Sequence, residues 1–260
     1  MTATLAARVN TVDLAGRVTA MYTDVALRPK GEFHFEMGRT LAERLGYSAS
    51  ELSRVPEDAI ESFAGVGYYF DLAAIQPGDV VIDLGSGSGM DTFVAAAKVG
   101  VEGQVVGIDM TDAQLEKAER LRLAGRISQV EYRKGYIDET GLPDASGDVV
   151  ISNGVINLAA DKAGVFREAA RVLRPGGRLA IADIVTDRRL PEQISCDATL
   201  WAACIGGAMQ VDDYVEAIEQ AGFTVNVMKA NREYRFLSKS AQGATKQYGV
   251  RSVSLLATSR

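Results

Sequence analysis

The sequence has few of the residues that crosslink small proteins or bind metals. It holds two cysteines, Cys196 and Cys204, and one histidine, His34, in 260 residues. Two cysteines make neither a disulfide framework nor a four-ligand zinc site, so no metal centre is expected. Positive charge is also short. Lys and Arg total 28 against 34 acidic residues, a net charge of −6, whereas a nucleic-acid binder usually presents a basic face. No window approaches the roughly 18 uncharged apolar residues of a spanning helix. Residues 1–18 are broken by Arg8, Asn10, Asp13 and Arg17, unlike the apolar stretch of a signal peptide. These shortages point to a cytoplasmic protein with neither nucleic acid nor membrane as partner. What is present, 47% hydrophobic and 24% charged residues, describes a globular chain rather than a disordered one.

Short β-branched runs alternate with helical patterns through the middle of the chain. Residues 79–84, 104–108, 129–133, 148–152 and 178–185 read as strands, and 89–99, 111–123 and 161–173 as helices. Thr111, with Gln114 three residues on, has the form of a capping box. Strand, helix, strand in this rhythm predicts an α/β, Rossmann-like, mostly parallel sheet with helices on both faces. Residues 191–222 read as helical. Runs at 224–228 and 250–258 bring the sheet to seven strands, closing it as an antiparallel edge. Residues 1–75 show helical spacing, as in Leu14, Val18, Met21 and Tyr22, then Met37, Leu41 and Leu45. The expected organisation is a helical cap (1–75), a ligand-binding core (76–190), and closing helices and strands of the same domain (191–260). The cap would lie over the carboxyl ends of the strands, where open α/β sheets bind ligands.

Glycine is the mild excess, 26 residues, and its placement is informative. The first strand runs into Asp83-Leu-Gly-Ser-Gly-Ser-Gly89 and then a helix. Glycines allow a sharp turn and bring bare backbone against a ligand. Met90 stands where the dinucleotide pattern G-x-G-x-x-G wants its last glycine. Asp83, two residues before the first glycine, would repel a pyrophosphate and attract an ammonium or sulfonium group. Asp109 ends the second strand, twenty residues after Gly89, where an acid accepts ribose hydroxyls. Together these favour S-adenosylmethionine over NAD and leave a dehydrogenase as the weaker rival. Adenine is expected near the Ile137 amide and the Asp138 carboxylate, although Asp138 also reads as a solvated loop acid. The expected cofactor set is Asp83, Gly85, Ser86, Gly87, Gly89, Asp109, Met110, Ile137, Asp138 and Asn153.

From Asp83 to about Phe223 the chain resembles the class I S-adenosylmethionine methyltransferases, and within them the arsenite methyltransferase group. The matching segments are residues 81–89, 107–111, 134–138, 150–153 with 155–158, and 187–191 leading to Leu200 and Trp201. The resemblance implies the class I methyltransferase fold, S-adenosylmethionine as cofactor and a small-molecule acceptor. Enzymes of that group hold trivalent arsenic with cysteines from three places. Here Val66 stands in the first, within Gly65-Val66-Gly67, Gly154 stands in the second, and only Cys204 keeps its thiol. Soft arsenic needs thiolates much as soft metals do. On one helix, Cys196 would sit about 12 Å along and roughly 80° around from Cys204, which does not rebuild the site.

The expectation drawn from this is a methyltransferase for a small organic acceptor, with arsenite disfavoured. The alternatives are an arsenite methyltransferase with a reduced thiol site, or an S-adenosylmethionine-binding protein that does not methylate. Tyr68, Tyr69, Gly154, Asn157, Trp201 and Cys204 are the expected acceptor-pocket residues, since aromatics with a polar handle suit a half-apolar ligand. His34 is a candidate general base by its pKa, or a packed residue between Phe33 and Phe35. Tyr22 and Asn153 are further catalytic candidates; Asn153 reads equally as a loop cap. A second copy of the chain stays an open option as partner.

Overall fold

The computed structural model describes residues 11–191, 194 and 205–260. Five strands follow the predicted rhythm: β1 (Val80–Leu84), β2 (Gln104–Asp109), β3 (Val130–Lys134), β4 (Gly147–Asn153) and β5 (Leu173–Thr186). Between them lie α6 (Met90–Val99), α7 (Asp112–Ala124) and α8 (Lys162–Val172). Before them come α1 (Thr11–Leu27), α2 (Arg39–Leu45), α3 (Ala49–Leu52), α4 (Glu57–Glu61) and α5 (Phe70–Ala73). After them come β6 (Met209–Gln210), α9 (Val211–Gln220), β7 (Phe223–Ala230), α10 (Lys239–Tyr248) and β8 (Arg251–Ser259).

The sheet runs β3-β2-β1-β4-β5-β8-β7, with the two-residue β6 beside β5. Strands β1 to β5 pair in parallel. β8 is antiparallel to both β5 and β7. The two last runs thus close the sheet through antiparallel pairs, as expected, with β8 inside and β7 at the edge. Alternation along the strands explains the two covered faces. Val81, Val105, Val149 and Ile151 belong to one buried cluster with Phe93, Val94 and Leu121 and with Leu14, Leu41, Tyr47 and Ile60 of the N-terminal helices. Ile82, Leu84, Val106, Ile108 and Val150 belong to another, with Val165 and Phe166 of α8 and Tyr214 and Ile218 of α9. There Phe166 and Tyr214 meet edge to face, centroids 5.2 Å apart.

Two local readings need correction. Thr111 is the N-cap of α7, yet its side chain makes no capping hydrogen bond. Gln114 is buried and turned elsewhere: its Oε1 accepts from the Ser88 hydroxyl, and its Nε2 donates to the Tyr22 carbonyl at 2.9 Å. Tertiary partners have outcompeted the local box. The helix expected across 191–222 begins, in its described later part, only at Val211, after the bridge β6; residues 192, 193 and 195–204 lie outside the described residues.

β1 has β2 on one side and β4 on the other, so the crossovers diverge at its carboxyl end. That divergence opens the crevice where such sheets take ligands.

Candidate active site

The glycine turn occupies this crevice. Gly85 has φ +78, and a Cβ there would stand 2.5 Å from Val155 Cγ2, so any side chain is excluded by both backbone and space. Gly85→Ala should cost about 3 kcal/mol or more of folding stability, read by denaturant titration. The amides of Gly85 and Ser86 donate to the Ile108 carbonyl at 2.8 and 3.0 Å, which ties the turn to β2. The Gly87 amide donates to Asp109 Oδ2 at 2.9 Å and the Thr111 amide to Oδ1 at 2.8 Å. Burial raises the Asp109 pKa, while these amides pull it back. The Ser86 hydroxyl is buried and, among the described residues, has no hydrogen-bond partner.

A cavity of about 420 Å³ lies over this turn, within the usual range for small-molecule sites. Its walls come from α1 (Leu14, Val18, Tyr22), the segment around Phe63 to Gly65, the turn, the β2 end (Asp109, Met110), the β3 end (Ile137, Asp138) and the loop after β4. Five aspartates line it, Asp83, Asp91, Asp109, Asp138 and Asp161; among the described lining residues there is no Lys, Arg or His. Asp83 is 2% exposed and accepts from Thr92 Oγ1 at 2.6 Å. Burial, reinforced by the neighbouring charge of Asp91, pushes its pKa up to about 8. Asp91, on the first turn of α6, accepts from Tyr47 Oη (2.6 Å), Tyr69 Oη (2.7 Å) and Asn153 Nδ2 (2.9 Å). Its pKa is raised by burial and drawn back by these donors.

The structure brings together at the cavity Tyr22, Asp83, Gly85, Ser86, Gly87, Asp109, Met110, Ile137, Asp138 and Asn153. Gly89 instead serves as N-cap of α6, with φ 93. His34 stands edge-on to Phe35 and is absent from the described wall. Asn153 is committed structurally. Its Oδ1 accepts from Val66 N at 2.8 Å, and its Nδ2 donates to Gly67 O at 3.0 Å as well as to Asp91. It fastens the 65–67 turn to the end of β4. Tyr69 is fully buried on Asp91, and Tyr68 donates to Glu51 Oε1 at 2.9 Å. Gly154 faces Val66 rather than the cavity, and Asn157 is fully buried. None of these four lines the cavity. Trp201 and Cys204 lie outside the described residues. Sequence reasoning missed Asp91, Tyr47 and Gln114. The available signal was an aspartate in the first turn of an otherwise apolar helix, directly after the glycines.

An acid-walled cavity with no cationic side chain among its described lining residues favours a ligand that carries positive charge over one that carries a pyrophosphate. That fits S-adenosylmethionine better than a dinucleotide. Asp83 suits a cationic group and Asp109 the ribose. Residues 75–222 match the family model described as a methyltransferase domain, and the chain belongs to that family. Fold and site define its class as the S-adenosylmethionine-dependent methyltransferases with a Rossmann-like sheet.

Within the class its relatives are arsenite methyltransferases. The arsenite methyltransferase of Halobacterium salinarum is 40% identical over 198 residues, 76% of this chain and 50% of its own length. The human arsenite methyltransferase is 41% identical over 152 residues, 55% of this chain and 40% of its own. The chain thus spans about half the length of the curated relatives it matches, or less. The crystal structure of an arsenic(III) S-adenosylmethionine methyltransferase from Chlamydomonas reinhardtii aligns with TM-score 0.64 and 31% identity, covering 86% of this chain and 74% of that one. These relatives overturn the expectation that arsenite is disfavoured and an organic acceptor preferred. Two replaced cysteines do not outweigh that degree of identity. No helix among the described residues is long and apolar enough to cross a membrane.

Proposed function

We propose that this chain transfers a methyl group from S-adenosylmethionine to trivalent arsenic, with a thiol site reduced to the cysteines it has. The carrying observation is the 40% identity to an arsenite methyltransferase over 76% of the chain. The chemistry of the cavity wall supports the same reading. Most oxygen and nitrogen acceptors must lose a proton, and histidine or lysine is the usual group to take it. Trivalent arsenic carries its own lone pair, so its attack on carbon releases no proton and needs no base. The described wall has no His or Lys, and this reading gives the Asp83 and Asp109 carboxylates to the cofactor, so an acceptor that needs no base fits it.

When bound, S-adenosylmethionine supplies a methyl group on a positively charged sulfur. The chain's own part is to hold and enclose. Asp109, oriented by the Gly87 and Thr111 amides, takes the ribose, and Asp83 supplies negative charge near the cationic centre. Leu14, Val18, Phe63 and Leu158 line the cavity and exclude water. Fixed geometry of this kind supplies much of the acceleration of a displacement. The N-terminal helices act as the cap of this enclosure. Cys204 is the thiol left at a position the resemblance assigns to arsenic, and a small thiol in solution completes the coordination.

Purified protein with S-adenosylmethionine and glutathione should form S-adenosylhomocysteine only when arsenite or methylarsenite is added. Cys204→Ser should lower that rate at least tenfold while cofactor affinity stays within about twofold. The cost matches the loss of one ligand bond to the acceptor. Equal formation without arsenic, or an unaffected Cys204→Ser rate, would sink the proposal.

A further inference from the structure

Asp91 raises a question that neither the glycine turn nor the acceptor explains. It is a buried carboxylate in the cavity wall, beside Asp83, and its partners Tyr47, Tyr69 and Asn153 are all neutral. A carboxylate serving only as a tether for two phenols would be as well placed behind the wall. This one opens onto the cavity. Asp91 and Asp83 line the same cavity, and the described wall holds no Lys, Arg or His to balance them.

S-adenosylmethionine carries two positive groups, the sulfonium and the α-ammonium of its amino-acid end, and the cavity holds two fully buried carboxylates outside the ribose position, Asp83 and Asp91. We propose that Asp91 receives the α-ammonium group of the cofactor, and that its bonds to Tyr47 and Tyr69 link that contact to the seating of the N-terminal helices. The two phenols come from the segments flanking α3 and α5, and Asp91 from α6. The carboxylate that meets the ligand is thus the one that holds these helices on the sheet. Burial raises the Asp91 pKa and its three donors draw it back, so a cationic group arriving in the cavity completes the balance toward the carboxylate. The proposal rests on the cofactor assigned above and is independent of the acceptor.

Two neutral-sulfur ligands separate the amino-acid end from everything else. S-adenosylhomocysteine has the α-ammonium, whereas 5′-methylthioadenosine has the same adenosine and thioether without it. In calorimetric titrations of the full chain, Asp91→Asn should weaken S-adenosylhomocysteine about tenfold or more, the scale of a lost hydrogen bond to a charged group. It should leave 5′-methylthioadenosine within about twofold. Equal losses for both ligands would make Asp91 a tether alone and overturn the proposal, as would no loss for either.

A second measurement needs no variant at residue 91. In the wild-type chain, S-adenosylhomocysteine at saturation should slow proteolysis within residues 11–75 more than saturating 5′-methylthioadenosine does; equal protection overturns the link to the helices. Failure of the wild-type chain to bind S-adenosylhomocysteine at all would instead remove the cofactor assignment itself.

Discussion

Asp83→Asn should weaken S-adenosylmethionine binding on the order of a hundredfold, because it removes a charge that faces a cation in a desolvated site. It should also flatten the pH dependence expected of the wild-type chain. Burial and the neighbouring Asp91 hold the Asp83 pKa at about 8 in the empty protein, so near pH 6 the group is mostly protonated. A cationic ligand favours its carboxylate form, and binding then releases a proton. Affinity should rise between pH 6 and 8 by at most tenfold per unit, the limit for one linked proton, and level off above 8. Stability of the empty protein moves the other way. Across the interval from about 4 to about 8 the folded state binds more protons at Asp83 than the unfolded chain does, so this contribution is lost as pH rises. Calorimetry at several pH values in buffers of different ionisation enthalpy measures both affinity and proton release. An affinity independent of pH in the wild type would refute this account of Asp83.

Asn153→Ala should destabilise the fold by about 3 kcal/mol, chiefly through the buried polar groups it leaves unpaired. The amide side chain is the shared partner of Val66 N, Gly67 O, Asp91 and Tyr47. Alanine leaves a buried carboxylate one donor short and frees the 65–67 turn from the end of β4. That turn has further anchors: Ser252 Oγ donates to Val66 O at 2.6 Å and Ser254 Oγ to Tyr68 O at 2.9 Å. It should therefore loosen without the sheet coming apart. Denaturant titration gives the cost, and a change below about 0.5 kcal/mol, the range of ordinary surface substitutions, would show that Asn153 is not a tie. Cofactor affinity should fall as well, since Asn153 shares Asp91 with the two phenols.

Much of this fold is legible in the chain because its strands are short apolar runs punctuated by glycine. The segment before Gly85 reads as a strand and the one after Gly89 as a helix on local pattern alone, and both form there. The order of the last strands is not legible: β8 pairs with β5 through residues more than sixty positions apart, such as Arg178 with Thr258, and so comes to lie between β5 and β7. No local signal encodes that. The residues gathered at the cavity were readable because a turn, an acid before it and an acid after the next strand follow a spacing that backbone geometry dictates. The acceptor positions were not. Tyr68, Tyr69 and Asn157 have the residue types of a pocket, but whether an aromatic faces a cavity or the core depends on elements distant in sequence. Tyr69 points to Asp91, and Tyr68 to Glu51.

The substrate inference failed for a different reason. Counting thiols treated a missing cysteine as a missing activity, and the curated relatives named for arsenite carry more weight. Under the proposed function, the absence means a site with fewer protein ligands, completed by a thiol from solution.

Direct speciation of arsenic tests the central claim best. Purified chain is incubated with S-adenosylmethionine, arsenite and glutathione, and the products are separated by chromatography with elemental detection of arsenic. The account predicts methylated arsenic in amounts matching the S-adenosylhomocysteine formed. S-adenosylhomocysteine accumulating while all arsenic remains unmethylated, or a chain that binds cofactor yet yields neither product, would contradict it.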